Sequence, residues 1–90
     1  MLERDLTKQI VKMLRGYGYL VCKLTMLGRY GMRGWPDLMV LPGGGRVLFL
    51  EVKVLGGKLT VHQARLHDRL SEDGYTVRVV RSLEDVEELL

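Results

Sequence analysis

Residues 34–54 read GWPDLMVLPGGGRVLFLEVKV. Two apolar runs flank a Pro-Gly-Gly-Gly segment, which is the pattern of a β-hairpin. Asp37 opens the first run, and Glu51 and Lys53 interrupt the second. If Leu41 faces Val47 across the turn, antiparallel pairing sets Met39 opposite Phe49 and Asp37 opposite Glu51. Side chains alternate along a strand, so Asp37, Glu51 and Lys53 share one face. The reverse face carries Leu38, Val40, Leu48, Leu50, Val52 and Val54. A one-residue slip would drive the charges among those apolar side chains, so the hydrophobic pattern fixes the register. Both faces are largely apolar, as in a sheet between helices. Directly opposed Cβ atoms lie about 5 Å apart. Two carboxylates at that distance repel by roughly 3 kcal/mol at an effective dielectric near 20. Lys53 offsets part of this repulsion, and a divalent cation held by hard oxygen ligands offsets more. The competing explanation is a surface charge cluster at a sheet edge.

Working outward, Leu2, Leu6, Ile10, Met13 and Leu14 recur at helical spacing, and Gly16 and Gly18 end that helix. Tyr19–Leu24 reads as a strand, and the glycine-rich stretch from Thr25 to Pro36 as a long loop or a distorted hairpin. Beyond the hairpin, Thr60 followed by Gln63 is a capping-box signature that opens a second helix. Gly74 closes it, Tyr75–Arg81 forms a fourth strand, and Ser82 caps a terminal helix. Leu83, Val86, Leu89 and Leu90 form one stripe on that helix, facing either its own core or a partner. The order is αβββαβα, an α/β chain with a mixed sheet flanked by helices.

Ninety residues make one domain, residues 1–90, with a small core that a second subunit would help to stabilise. The net charge of +3 is compatible with nucleic acid without demanding it. Cys22 is the lone cysteine, which excludes an intrachain disulfide and places the chain in the cytoplasm. It sits in an apolar run and is expected to be buried. One Cys with His62 and His67 lacks the spacing of a closed zinc site, and both histidines are expected on an exposed helix face. No apolar stretch is long enough to cross a bilayer, and the N-terminus does not read as a signal peptide. The Pro-Gly-Gly-Gly segment is turn chemistry, since no helix follows it to form a phosphate cradle.

The order Pro36-Asp37, hairpin, Glu51-Val52-Lys53 resembles the PD-(D/E)xK nuclease superfamily, which implies a restriction-endonuclease-like αβββαβ core, here with an added C-terminal helix. The closer resemblance is to VRR-NUC domains. These have a glutamate early in the first helix, a G-x-P-D box, an E-x-K strand and a glutamine early in the following helix. Glu3, Gly34-Trp35-Pro36-Asp37, Glu51-Val52-Lys53 and Gln63 match, across essentially the whole chain. The Val-Arg-Arg triplet is absent; the last strand offers Val77-Arg78 and Val80-Arg81.

The resemblance implies a Mg²⁺- or Mn²⁺-dependent DNA endonuclease in the cytoplasm of a phage-infected or bacterial cell, with no membrane partner. Asp37 and Glu51 would ligate the metal, with the Val52 carbonyl as a third ligand. Lys53 would orient or deprotonate the attacking water, or steady the phosphate. Glu3 would be an outer metal ligand; its alternative is a carboxylate favoured by the helix dipole. Gln63 would stand near the metal, although the capping box alone accounts for it. Trp35 is a core anchor or a base-stacking residue. Lys23, Arg29, Arg33 and Lys58 are spread around the proposed metal end and are candidates to contact DNA, with Arg29 and Arg33 following the phosphate backbone from the glycine-rich loop; the alternative is a solvated loop. Stand-alone domains of this type look like homodimers that resolve four-way (Holliday) junctions. A catalytically inactive DNA-binding module of the same fold is the leading alternative, and a small interaction domain with an acidic surface is another.

Overall fold

The computed structural model describes residues 1–25 and 33–90. Seven elements follow in the expected order: α1 Glu3–Gly16, β1 Leu20–Lys23, β2 Leu38–Gly43, β3 Arg46–Val52, α2 Val61–Glu72, β4 Thr76–Val80 and α3 Leu83–Glu87. The strands form one mixed sheet in the order β1-β2-β3-β4. β1–β2 and β2–β3 are antiparallel, whereas β3–β4 is parallel because α2 carries the chain back.

The hairpin register is the one that the alternation demands, with Met39 opposite Phe49, Leu38 opposite Leu50 and Val40 opposite Leu48. A bulge between Val40 and Gly43 displaces the turn, so Gly43 rather than Leu41 opens the final pair, with Arg46. Gly43, Gly44 and Gly45 all have positive φ, which explains three consecutive glycines as turn chemistry.

Each sheet face has its own apolar layer. Leu38, Val40, Leu48, Leu50 and Val52 pack with Leu6, Ile10, Val11 and Leu14 of α1 and with Val86 of α3. On the other face Phe49 and Val77 meet Leu70 of α2, with Trp35, Met39 and Leu66 packed around them. Trp35 tilts against Phe49 at 6.2 Å between ring centroids, the anchoring role. Leu83 and Leu89 also pack on the first layer, so the α3 stripe serves its own core and leaves only Leu90 exposed.

Two burial expectations are corrected. Cys22 is exposed, because β1 is an edge strand and α2 packs against β4 at the opposite edge of the sheet. His67 is buried, because with Leu70 it lies on the inward face of α2. No helix among the described residues is long and apolar enough to cross a membrane.

Candidate active site

Asp37 stands just before β2 and is fixed from two sides. Its backbone carbonyl accepts the Leu24 N–H at 2.8 Å, extending the pairing with β1. Its carboxylate Oδ2 accepts the Val52 N–H at 2.8 Å, reaching across to β3. The residue thus replaces one rung of the sheet with its side chain, which is why β2 begins at Leu38.

The backbone preceding Asp37 is set by Gly34, which has a φ of 88°. A Cβ on Gly34 would collide with the His62 carbonyl oxygen. Both the left-handed backbone and the contact with the first turn of α2 therefore require glycine. This gives the Gly of the G-x-P-D box a physical reason.

Glu51 lies on β3, on the same sheet face as Met39 and Phe49, and is only 1% exposed. Burial raises its pKa from 4.5 to about 9, reinforced by a hydrogen bond with the Asp37 side chain and by the Asp37 charge. Lys53 opposes that shift and Glu3 adds to it, so both charges reach the same site. Lys53 is half-buried just beyond β3, and its own N–H bonds to the Val80 carbonyl at 3.0 Å. Glu3 is exposed at the start of α1 and lines a cleft of about 290 Å³ with Asp37, Lys8 and Lys23.

His67 is the residue that the sequence reading missed. Its Nε2 lies 3.4 Å from Glu51 Oε1, and neither atom has a hydrogen-bond partner of good geometry. Burial lowers the His67 pKa, against the opposing pull of Asp37 and Asp68. The signal was available: residue 67 stands three positions before Leu70 and four after Gln63, on the inward stripe of α2. Arg81 was also missed. Its Nη1 donates to the carbonyls of Val54 at 2.9 Å and Gly57 at 2.8 Å, pinning the loop that follows Lys53. An unpaired arginine next to a strand end gave no sequence cue to that clamp.

Of the remaining expected residues, Val52 and Lys23 stand beside Asp37. Gln63 completes the capping box: its Oε1 accepts the Thr60 N–H at 2.9 Å and its N–H donates to Thr60 Oγ1 at 3.1 Å. Val52 is buried with its N–H committed to Asp37. Lys23, Arg33 and Lys58 are exposed, and Arg29 lies outside the described residues.

The carboxyl pair suits a hard cation. An orphaned, buried carboxyl oxygen beside a second carboxylate is a poor arrangement for the protein alone and a good one around Mg²⁺ or Mn²⁺. Among the described residues no three His, Cys, Asp or Glu side chains are grouped so as to hold a metal ion. An open site with two carboxylates is the usual form for Mg²⁺, which keeps several waters and takes further oxygens from substrate phosphate.

Comparison with known proteins agrees with this architecture. The family model described as "VRR-NUC domain" matches residues 2–84. "Putative nuclease p44" of Acyrthosiphon pisum secondary endosymbiont phage 1 is 36% identical over 80 residues, covering 89% of this chain and 83% of that protein. A solved structure titled "VRR_NUC domain" superposes with a TM-score of 0.84 at 35% identity, covering 97% of this chain and 91% of that one. A second, titled "VRR_NUC domain protein", shares the fold with a TM-score of 0.74 at 20% identity, covering 99% and 84%. With its hairpin carboxylates and α/β core in the arrangement described, the chain belongs to the VRR-NUC nuclease family.

Proposed function

We propose that this protein is a divalent-metal-dependent, structure-selective DNA endonuclease of PD-(D/E)xK type that works as a homodimer at four-way junctions. The observation that carries the reading is the buried Glu51 carboxyl beside the half-buried Asp37 carboxylate, with the Lys53 charge acting on the pair. Hydrolysis adds a water oxygen to phosphorus and breaks the bond to the leaving oxygen. It requires an activated water and neutralisation of charge growing on the phosphate. Mg²⁺ or Mn²⁺ held by Asp37 and Glu51 would supply a lowered water pKa and Lewis acidity. The Val52 carbonyl is the proposed third protein ligand, and Glu3 an outer one.

The chain's own residues prepare that chemistry. The Val52 N–H orients the Asp37 carboxylate, and His67 stands against Oε1 of Glu51 to restrict its rotation. Lys53, whose charge acts on Glu51 and whose following loop is held by Arg81, would either take the proton from the attacking water or steady the phosphate. Lys23, from the wall of the Asp37 cleft, neutralises a neighbouring phosphate, and Arg29, Arg33 and Lys58 extend the DNA contact. Gln63 joins the site by resemblance, in addition to its capping role.

The homodimer rests on the resemblance and on simple counting. A single site of this type cuts one strand, so paired cuts need two sites. The α3 stripe is engaged with its own core, so the proposed interface uses another face. The test is a panel of labelled flaps, forks, four-way junctions and duplex, incubated with Mg²⁺, Mn²⁺ or EDTA. Metal-dependent paired nicks on the junction, with a dimeric mass by light scattering, are expected. Binding without cutting in either metal would leave the inactive DNA-binding module as the correct reading.

A further inference from the structure

We infer that the outer face of α1 is a track for the duplex arm that leaves the cleavage site. Arg4, Lys8, Lys12 and Arg15 recur at intervals of four, four and three residues, which stacks them along one side of the helix. All four are exposed. The only acidic residues of α1, Glu3 and Asp5, lie in its first turn, so no carboxylate interrupts the face from Lys8 onward. Among the described residues none of these four cations is held in an ion pair. Arg15 is instead steadied by a hydrogen bond from Nη2 to the Val21 carbonyl at 3.2 Å, which ties the end of the ridge to β1.

The ridge is continuous with the site. Lys8, Lys12, Arg15 and Lys23 line a groove of about 390 Å³ between α1 and β1. Lys8 and Lys23 also line the cleft that contains Glu3 and Asp37. A phosphate backbone that places one phosphate against the carboxyl pair therefore meets Lys23 and Lys8 next, and Lys12 and Arg15 beyond them. The ridge from Arg4 to Arg15 is about 16 Å long at 1.5 Å per helical residue. At 3.4 Å per step that matches about five base pairs of duplex. Isolated exposed lysines are ordinarily just solvated. A row of them opening into an acidic cleft has a further use, because the acidic end repels a polyanion that the row must hold. This track rests on the nuclease reading, and it lies on α1 rather than in the glycine-rich loop.

The test measures junction binding in a Glu51→Gln background, with and without Lys8→Gln plus Lys12→Gln, across a salt series. Neither lysine makes a side-chain hydrogen bond among the described residues, and both are exposed, so the fold is undisturbed. Losing two phosphate contacts should reduce the slope of log affinity against log salt by about 1.8. A control pair, Arg46→Gln with Arg65→Gln, removes equal charge from the far hairpin turn and from α2 and should leave the slope near that of the parent. Equal slopes for the lysine pair and the parent, or equal losses in both pairs, would overturn the track. Cleavage by the unsubstituted chain is followed in parallel: cutting with an unchanged lysine slope sinks the track alone, and no cutting with a reduced slope sinks the nuclease reading alone.

Discussion

His67 Nε2 and Glu51 Oε1 face each other at 3.4 Å inside the protein, and neither has a well-formed hydrogen bond. The imidazole therefore limits where the carboxyl can turn. Outer partners of metal-binding side chains typically contribute 10–100-fold to affinity or activity, about the size of effect expected for His67→Leu on cleavage. Calorimetry with Mn²⁺ should show weaker binding by a similar factor. Wild-type rate and affinity in this variant would remove His67 from the site.

Asp37→Asn and Glu51→Gln should each abolish detectable cleavage. Without metal, Glu51→Gln should melt no lower than the parent, because it replaces a buried carboxyl that stands beside the Asp37 charge. Asn at residue 37 retains an oxygen to accept the Val52 N–H, so that variant should fold as well. Cutting at the parental rate by either variant would move the site elsewhere.

The raised Glu51 pKa sets a pH dependence. An unfolded chain loses this proton near 4.5, whereas the folded, metal-free protein holds it to about 9. Between those values the folded state binds the extra proton, so its stability falls as pH rises. His67 acts in the other direction: its pKa is lowered, so its contribution is lost as pH falls below 6.5. The melting temperature without metal should therefore decline from neutral pH towards 9, and Glu51→Gln should flatten that decline. A parent protein with no decline would contradict the buried proton.

The same proton must leave when a cation binds. Near neutral pH, Mn²⁺ titrations in buffers of different ionisation enthalpy should reveal release of close to one proton per site. Release should vanish in Glu51→Gln. Binding without proton release would show that the pair is already ionised.

Gln63 separates two roles that the sequence superimposed. Gln63→Ala removes one of the two hydrogen bonds of the capping box and should lower stability by about 1 kcal/mol or less. If capping is its whole role, cleavage below the melting range stays near the parental rate. A large loss of rate in a well-folded variant would place Gln63 in the reaction.

The hairpin was legible because its alternation leaves one register that keeps Asp37 and Glu51 off the apolar face, and the structure has that register from Leu38 to Val40. The order of elements followed from glycines and caps, with Ser82 and Thr60 both accepting hydrogen bonds from the N–H three residues on. Cys22 was misread because apolar neighbours report that a strand exists, not whether it sits at the sheet edge. His67 was misread because burial on α2 depends on which face meets the sheet, and a lone histidine carries little hydrophobic signal. Arg81 was illegible for a third reason: its acceptors are the backbone carbonyls of Val54 and Gly57, more than 20 residues away, and carbonyls leave no trace in residue identity.

The contact between Gly34 and the His62 carbonyl has a mechanical meaning. Backbone touches backbone there, with no side chain to act as a compressible spacer. Asp37 lies three residues beyond one partner and His67 five beyond the other, so this contact helps set how far the helix stands from the hairpin where Glu51 meets the imidazole. The spacing between α2 and the backbone that enters β2 is in effect gauged by the thickness of two peptide chains, and a methyl group at residue 34 would wedge the two apart.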